Sequence, residues 1–479
     1  MTEKEKTAGE QLAEQLCYAP KTVFEAIAAG DLKTDTVSPV DWKKEIHHFC
    51  EEYKTFLDAG KTEREVVKEA VKLAKAAGFA EYVRGGSYRP GDKLYAVNRE
   101  KGIFLFVLGR RPLSEGINLT AAHIDSPRID LKVRPLYEDS GLCFLKTHYY
   151  GGVKKYQWTA MPLALHGVVC LKNGEKVTVT VGEEEGDPVF CITDLLPHLG
   201  REQEAKPLRE AIVAEKMNVL VGSEPFEDEK VSEKLKLRVL SLLHEKYGMT
   251  EYDFLSADLS FVPVYRARDI GFDRSMIGAY GHDDRVCAYT ALRSILEVES
   301  PERTCLCALV DREEIGSDGV TGMQSNFMYN LIDSLCEMEG VSSHGIFAES
   351  RCLSADVAAA FDPNYADAYD KRNASLLGCG VAVIKYTGSG GKYNTSDAGA
   401  EYMAEVRDIL DGAGVIWQTG SMGRVDLGGG GTVAKYIANH DIDTVDVGVP
   451  VLSMHSPFEV VSKGDVYMTY RAFCAFNAR

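Results

Sequence analysis

Apolar residues recur with two different periods along this 479-residue chain, and each period predicts a kind of element. In SPVDWKKEIHHFCEEYKTFLDAG, residues 38–60, Trp42, Ile46, Phe49, Tyr53 and Leu57 fall close to every 3.6 positions. That spacing predicts an amphipathic helix stopped by Gly60. TEREVVKEAVKLAKAAGF follows, with Thr62 and Glu65 at the spacing of a capping box, and predicts a second helix. The first sixteen residues, MTEKEKTAGEQLAEQL, read as an acidic helical opening without the apolar core of a signal peptide. The period then changes. KLYAVNR, GIFLFVLG and GINLTAAHID predict strands, the last two with the unbroken apolar character of strands buried on both faces.

From about 133 to 268 the pattern changes again. LCFLKTHYYGGVKKYQWTAMPLALHGVVCL and EKVTVTV predict antiparallel strands and hairpins, followed by a charged helix, SEKLKLRVLSLLHEKYG, and the strand in LSADLSFVPVY. After 269, helices and apolar strands alternate: DDRVCAYTALRSILEVE with RTCLCALVD, SNFMYNLIDSLCEME with GVAVIKYTG, and GTVAKYIANHDI with TVDVGVPVLSMHSP. Alternation of this kind predicts an α/β core with helices on both faces of a sheet. The expected organisation is an α/β domain built from residues 1–132 and 269–479, interrupted by a β-rich insertion over 133–268.

Composition narrows the function. A 45% hydrophobic chain of this length can bury a large core, and a net charge of −18 argues against nucleic acid, whose phosphates call for a basic surface. It also argues against polybasic attachment to a membrane surface, and no apolar run approaches the roughly 20 residues that span a bilayer. The twelve cysteines include no C-x-x-C pair, and Cys305 and Cys307 lie inside an apolar run, so core thiols in a reducing cytoplasm are expected.

Candidate chemistry comes from polar residues that interrupt apolar runs, because α/β sheets collect functional groups at the carboxyl ends of their strands. One strand ends in His123 and Asp125. Another ends in DREE, residues 311–314. Asp356 sits inside the apolar CLSADVAAAFDP, HDDR opens a helix at 282–285, and a last strand ends in His455. Each piece alone has an ordinary structural explanation; aspartates at a helix start usually cap it, and DREE alone reads as a solvated turn. Together they join imidazole with carboxylate, a donor mixture suited to zinc, cobalt or manganese rather than calcium. His-x-Asp fits a carboxylate that holds its histidine in the ligating tautomer, and adjacent glutamates allow one to bind metal while the other moves protons.

The ordered set AAHIDSP, HDDR, DREEIGS, SADVAAAFDPNY and MHSPFEV strongly resembles the M18 family of metalloaminopeptidases, from about residue 20 to the C-terminus. The resemblance implies a phosphorylase/hydrolase-like mixed-sheet catalytic domain carrying an inserted dimerisation domain and two divalent metal ions per subunit. Carried over by position, it implies that His123 and Asp356 hold one ion, that Glu314 and His455 hold the other, and that Asp283, rather than Asp284, bridges them. Glu313 is implied as general base and acid, and Asp125 as the partner of His123. The implied substrates are peptides with a free N-terminus, attacked by metal-activated water.

Aspartyl members prefer acidic N-terminal residues, and Lys385 in VAVIKYTG matches a lysine that binds such side chains. SGGKYNTSDAGAE, which follows, instead resembles a bacterial subgroup, so an aminopeptidase for neutral residues is the alternative, with a dinuclear zinc deacylase or a catalytically silent metal protein behind it. His198 matches a histidine that the insertion lends to a neighbouring subunit, and relatives form dimers that assemble into tetrahedral dodecamers. The glycine run 428–431 lacks phosphate-loop spacing and reads as a close backbone approach at the substrate pocket.

Overall fold

Helices Ala8–Leu16, Val23–Ala29, Trp42–Ala59 and Glu63–Ala76 occupy the N-terminal part of the chain. The computed structural model describes residues 7–32 and 41–479, so residues 1–6 of the acidic opening and 38–40 of the next stretch lie outside the described residues. Thr62 and Glu65 form the expected capping box, each side chain meeting the other's backbone N–H. On the Trp42–Ala59 helix, Ile46, Phe49, Tyr53 and Leu57 share the buried face.

A nine-stranded mixed sheet forms the centre. Its order is Ala80–Glu81, Lys93–Asn98, Gly102–Val107, Cys305–Val310, Asn118–His123, Arg351–Ala355, Asp443–Gly448, Val381–Ile384 and Trp417–Thr419. Cys305–Val310, Asn118–His123, Arg351–Ala355 and Asp443–Gly448 run parallel to one another. Gly102–Val107, Asn118–His123 and Cys305–Val310 are buried at every position, as unbroken apolar runs require. Apolar layers cover both faces. One gathers Ile46, Phe49, Val286, Leu292 and Phe473, with Cys305 and Cys307 among them; the other gathers Leu331, Leu335 and Ile437. Each fully buried side chain of this size contributes about 1.5–3 kcal/mol, which makes these parallel strands a rigid platform.

Two further sheets complete the site's surroundings. A seven-stranded antiparallel sheet takes its strands from Arg128–Asp139 through Ala257–Pro263, and helix Lys234–Tyr247 packs on it through Val239 and Leu243. The composition change at 133 falls within its Arg128–Asp139 strand, so this sheet begins before the composition does. A five-stranded sheet joins Met276–Ala279 to Glu459–Ser462, and Pro450–Leu452 to Ala358–Ala359. It ties together the chain around Asp283, Asp356 and His455. No helix among the described residues is long and apolar enough to cross a membrane.

Candidate metal centre

The four parallel strands deliver their carboxyl ends to one place. Val310 pairs with His123 in register, so DREE begins beside AAHID, and Asp356 follows the neighbouring strand one residue past Ala355. His455 sits in the tight turn between Pro450–Leu452 and Glu459–Ser462, with a left-handed φ of 64°. Asp283 stands at the start of helix His282–Leu296 with non-helical φ/ψ, and its peptide bond to Asp284 is cis.

Side chains from all five segments converge. His123 Nε2 lies 3.2 Å from Asp283 Oδ1, and His455 Nε2 lies 3.1 Å from Asp283 Oδ2, so each oxygen of one carboxylate faces a different imidazole. Asp356 Oδ1 is 3.9 Å and Glu313 Oε2 4.0 Å from His123 Nε2, while Glu314 Oε1 is 3.6 Å from His455 Nε2. The opposite ring nitrogens are engaged elsewhere. His123 Nδ1 lies 3.0 Å from the Asp125 carbonyl and 3.3 Å from its carboxylate, and His455 Nδ1 lies 2.9 Å from the Gly152 carbonyl. A carbonyl only accepts, so both histidines carry a proton on Nδ1, and Nε2, which faces the cluster and donates to Asp283 here, is the nitrogen left for a metal to take in place of its proton.

Asp125 is wholly buried and serves as the hub of this geometry. Beyond His123 it accepts the backbone N–H of Glu313 at 3.1 Å, that of Glu314 at 3.2 Å, and the Tyr150 hydroxyl at 2.7 Å. Glu459 plays a similar part, accepting Asp283 N–H at 3.0 Å and His455 N–H at 2.7 Å. Ser126 Oγ adds a close hydrogen bond to the Asp283 carbonyl. Asp311 and Arg312, without a role in the sequence, shape the turn: Thr321 Oγ1 donates to Asp311 at 2.7 Å, and Arg312 adopts a left-handed φ of 70°.

So many buried carboxylates need cations. Burial lifts Glu313 to about 7, with His123 pulling it down and Asp125 pushing it up. Burial also drives Glu314 and Asp356 well above the usual carboxylate range, with Asp283 adding to the rise in both. Burial would raise Asp283 too, but hydrogen bonds from both histidines hold it low. Burial opposes charge on His455, yet Asp283 overrides it and lifts the imidazole to about 10. Protons here stand where divalent ions would do better. Glu314 Oε1 and both carboxylate oxygens of Asp284 are buried without a hydrogen-bond partner, the cost that a bound cation removes. Atoms of His123, Asp283 and Glu314, and of His123, Asp284 and Asp356, lie close enough to share an ion. The residues fit a divalent metal ion, with His123 common to both groups.

A cavity of about 430 Å³ opens over the cluster, lined by Asp283, Glu313, Glu314, Asp356 and His455 on one side. Ile384, Tyr386, Met422 and Met454 supply apolar wall, Gly429–Gly431 approach with bare backbone, and Lys435 is the one lysine or arginine among the described residues that line it. Lys385 is not brought to this wall; its ammonium binds Asp397 Oδ1 and the Ala398 carbonyl, each at 2.7 Å. His198 is also away from it, exposed in a turn over Pro197–Leu199. The residues that sequence reasoning missed are Glu459, Tyr150 and Gly152. Glu459 carried the same signal as Asp356, an acid amid apolar neighbours in PFEVV.

Residues 56–477 match the family described as aminopeptidase I zinc metalloprotease (M18). A probable M18 family aminopeptidase 1 from Clostridium acetobutylicum is 47% identical over 441 residues, covering 90% of this chain and 95% of the relative. The crystal structure of an M18-family aminopeptidase from Thermotoga maritima aligns with a TM-score of 0.89 at 42% identity, over 96% of this chain and 99% of that one. The mApe1 dodecamer of S. cerevisiae shares the fold at 21% identity, with a TM-score of 0.73 over 89% of this chain and 95% of that one. With histidines and carboxylates gathered at parallel strand ends and a match over most of its length, the chain belongs to the M18 family of metalloaminopeptidases.

Proposed function

We propose that this aminopeptidase works through a co-catalytic pair of zinc ions, a donor set that cobalt or manganese would also accept. His123 and Asp356 would hold one ion and Glu314 and His455 the other, with Asp283 placed between the two histidines to serve both. One observation carries the reading: the two oxygens of Asp283 face the Nε2 atoms of two different histidines, at 3.2 and 3.1 Å. Bound divalent ions supply Lewis acidity toward the scissile carbonyl and acidify an attacking water. Glu313 sits at the cavity wall, its backbone fixed by Asp125, with a carboxyl lifted to about 7. It takes the water's proton and returns it to the leaving amine.

The substrates are peptides with a free N-terminus. The acidic preference expected through Lys385 draws no support from a side chain bound to Asp397, and the apolar stretch of wall favours neutral N-terminal residues. In this reading residues 1–132 and 269–479 form a phosphorylase/hydrolase-like catalytic unit and 133–268 an inserted dimerisation unit. Exposed Leu195, Leu196, Leu199 and Leu208 around His198 support subunit contact there, with His198 reaching a neighbour's site and dimers building a dodecamer like the yeast relative's. Glu313→Gln tests the chemistry. It should keep two zinc ions by elemental analysis and lose roughly 10²–10⁴-fold in kcat, the usual span of a general base. Wild-type turnover in that variant would remove Glu313 from the mechanism.

A further inference from the structure

We infer that Tyr150-Gly151-Gly152, where the seven-stranded sheet ends over the site, is a positioning clamp holding His455, Glu314 and, through Asp125, His123 in ligating geometry. The inference rests on the metal reading above, and assigns to a different sheet the task of holding ligands that the central sheet supplies.

Three contacts carry it. Tyr150 Oη donates to Asp125 Oδ2 at 2.7 Å, and Asp125 in turn receives His123 Nδ1 and the backbone of both Glu313 and Glu314. Two residues later the Gly152 carbonyl accepts His455 Nδ1–H at 2.9 Å, fixing the tautomer that frees Nε2. Gly151, between them, takes a left-handed φ of 73°, and an added Cβ would lie 3.1 Å from Glu314 Oε2 and 3.2 Å from Glu314 Cβ. At Gly152 a Cβ would lie 2.9 Å from His455 Nδ1. The segment therefore rests directly on His455 and Glu314, and only glycine lets it do so.

The clamp is itself held. Tyr150 pairs in register with Arg128, whose guanidinium lies 4.0 Å from the Tyr150 ring centre. Asp130 at 2.8 Å and Glu63 at 3.3 Å anchor that guanidinium from behind. Strand and ion pairs thus deliver the hydroxyl to Asp125 without a rotamer search. Outer partners of this type typically change metal affinity 10–100-fold when removed.

Zinc affinity tests this on the full chain, stripped by chelator and titrated against a chromophoric zinc chelator. The wild type should take up two ions. Tyr150→Phe, which keeps the ring over Arg128, should bind them about 10-fold more weakly, and Gly152→Ala about 100-fold. The melting temperatures of the stripped proteins should match, and saturating zinc should restore most of the activity of Tyr150→Phe with KM unchanged. Tyr149→Phe, at the exposed neighbouring position, should bind zinc as the wild type does. Zinc affinity within twofold of wild type for Tyr150→Phe overturns the clamp, even if Gly152→Ala does not fold. A wild-type chain that takes up no zinc overturns the metal reading itself, a separate result.

Discussion

Asp125→Asn isolates how much of the site depends on one carboxylate. The substitution keeps shape and removes charge, and the geometry leaves the amide no good orientation. Oδ1 accepts the Glu313 N–H at 3.1 Å, and Oδ2 accepts the Glu314 N–H at 3.2 Å. Whichever way the amide turns, its NH₂ group faces one of those donors. The Tyr150 hydroxyl can rotate to accept, but a backbone N–H cannot. One charge-assisted hydrogen bond is lost outright and the rest weaken, and at about 1.5–3 kcal/mol for each bond to a charged group the loss is about 3 kcal/mol. His123 is partly spared, since the Asp125 main-chain carbonyl holds its Nδ1 at 3.0 Å. The damage should therefore fall on residues 313–314. The expected result is a lower urea midpoint at unchanged slope, zinc bound about 10–100-fold more weakly through Glu314, and kcat reduced about 100-fold at saturating zinc through Glu313. The assays are denaturant unfolding, chelator competition and release of an N-terminal residue from an aminoacyl anilide. An Asp125→Asn enzyme within twofold of wild type in both zinc affinity and kcat would refute the argument that this carboxylate positions Glu313 and Glu314.

Two further outcomes follow from other parts of the molecule. His166 lies buried between Glu65 at 2.8 Å and Glu183 at 3.0 Å; burial lowers its pKa, but those carboxylates override it and leave it raised above 6.5, while both glutamates are held below 4.5. The raised imidazole contributes fully below pH 6.5 and less as pH climbs through its folded value, and the glutamates contribute above 4.5 and less as pH falls. His166→Asn should therefore cost most stability between about pH 4.5 and 6.5 and progressively less above, read from urea midpoints across pH; a cost that grows toward pH 9 would contradict the ion pairs. Lys385→Ala should leave the ratio of rates on acidic and neutral N-terminal residues unchanged, whereas Lys435→Met, at the cavity wall, should depress acidic substrates selectively; a ratio altered only by Lys385→Ala would restore the first lysine to that role.

Much of the fold was legible because the central strands are apolar at every position. Such runs leave few ways to place GIFLFV, NLTAAH and CLCALV except inside a sheet covered twice. Helices Trp42–Ala59 and Glu63–Ala76 announced themselves by one buried face and a capping box. Helices Ala400–Gly412 and Lys463–Asn477 did not. The last is buried along most of its length, with Lys463 and Asp465 inside, so its polar residues break no stripe that a periodicity test can see.

The candidate ligands were legible for a related reason. A charged residue amid apolar neighbours, such as Asp356 or the end of CALVDREE, carries its desolvation cost in its immediate sequence context. What supports the ligands often leaves no such mark. Glu459 could have been found by the same rule, since VV follows it and PF precedes it. Gly152 could not, because its contribution is a main-chain carbonyl and any residue has one. Tyr150 reads as an ordinary strand aromatic, and its hydroxyl matters only because register with Arg128 carries it to Asp125. Lys385 shows the opposite case. A lysine at a strand end looks available until the fold supplies Asp397 twelve residues later as its partner. Charge that must be buried shows in the sequence, whereas the direction in which a side chain or carbonyl points depends on partners distant in it. The lysine comparison and the Tyr150→Phe titration therefore probe the orientations that only the tertiary contacts set.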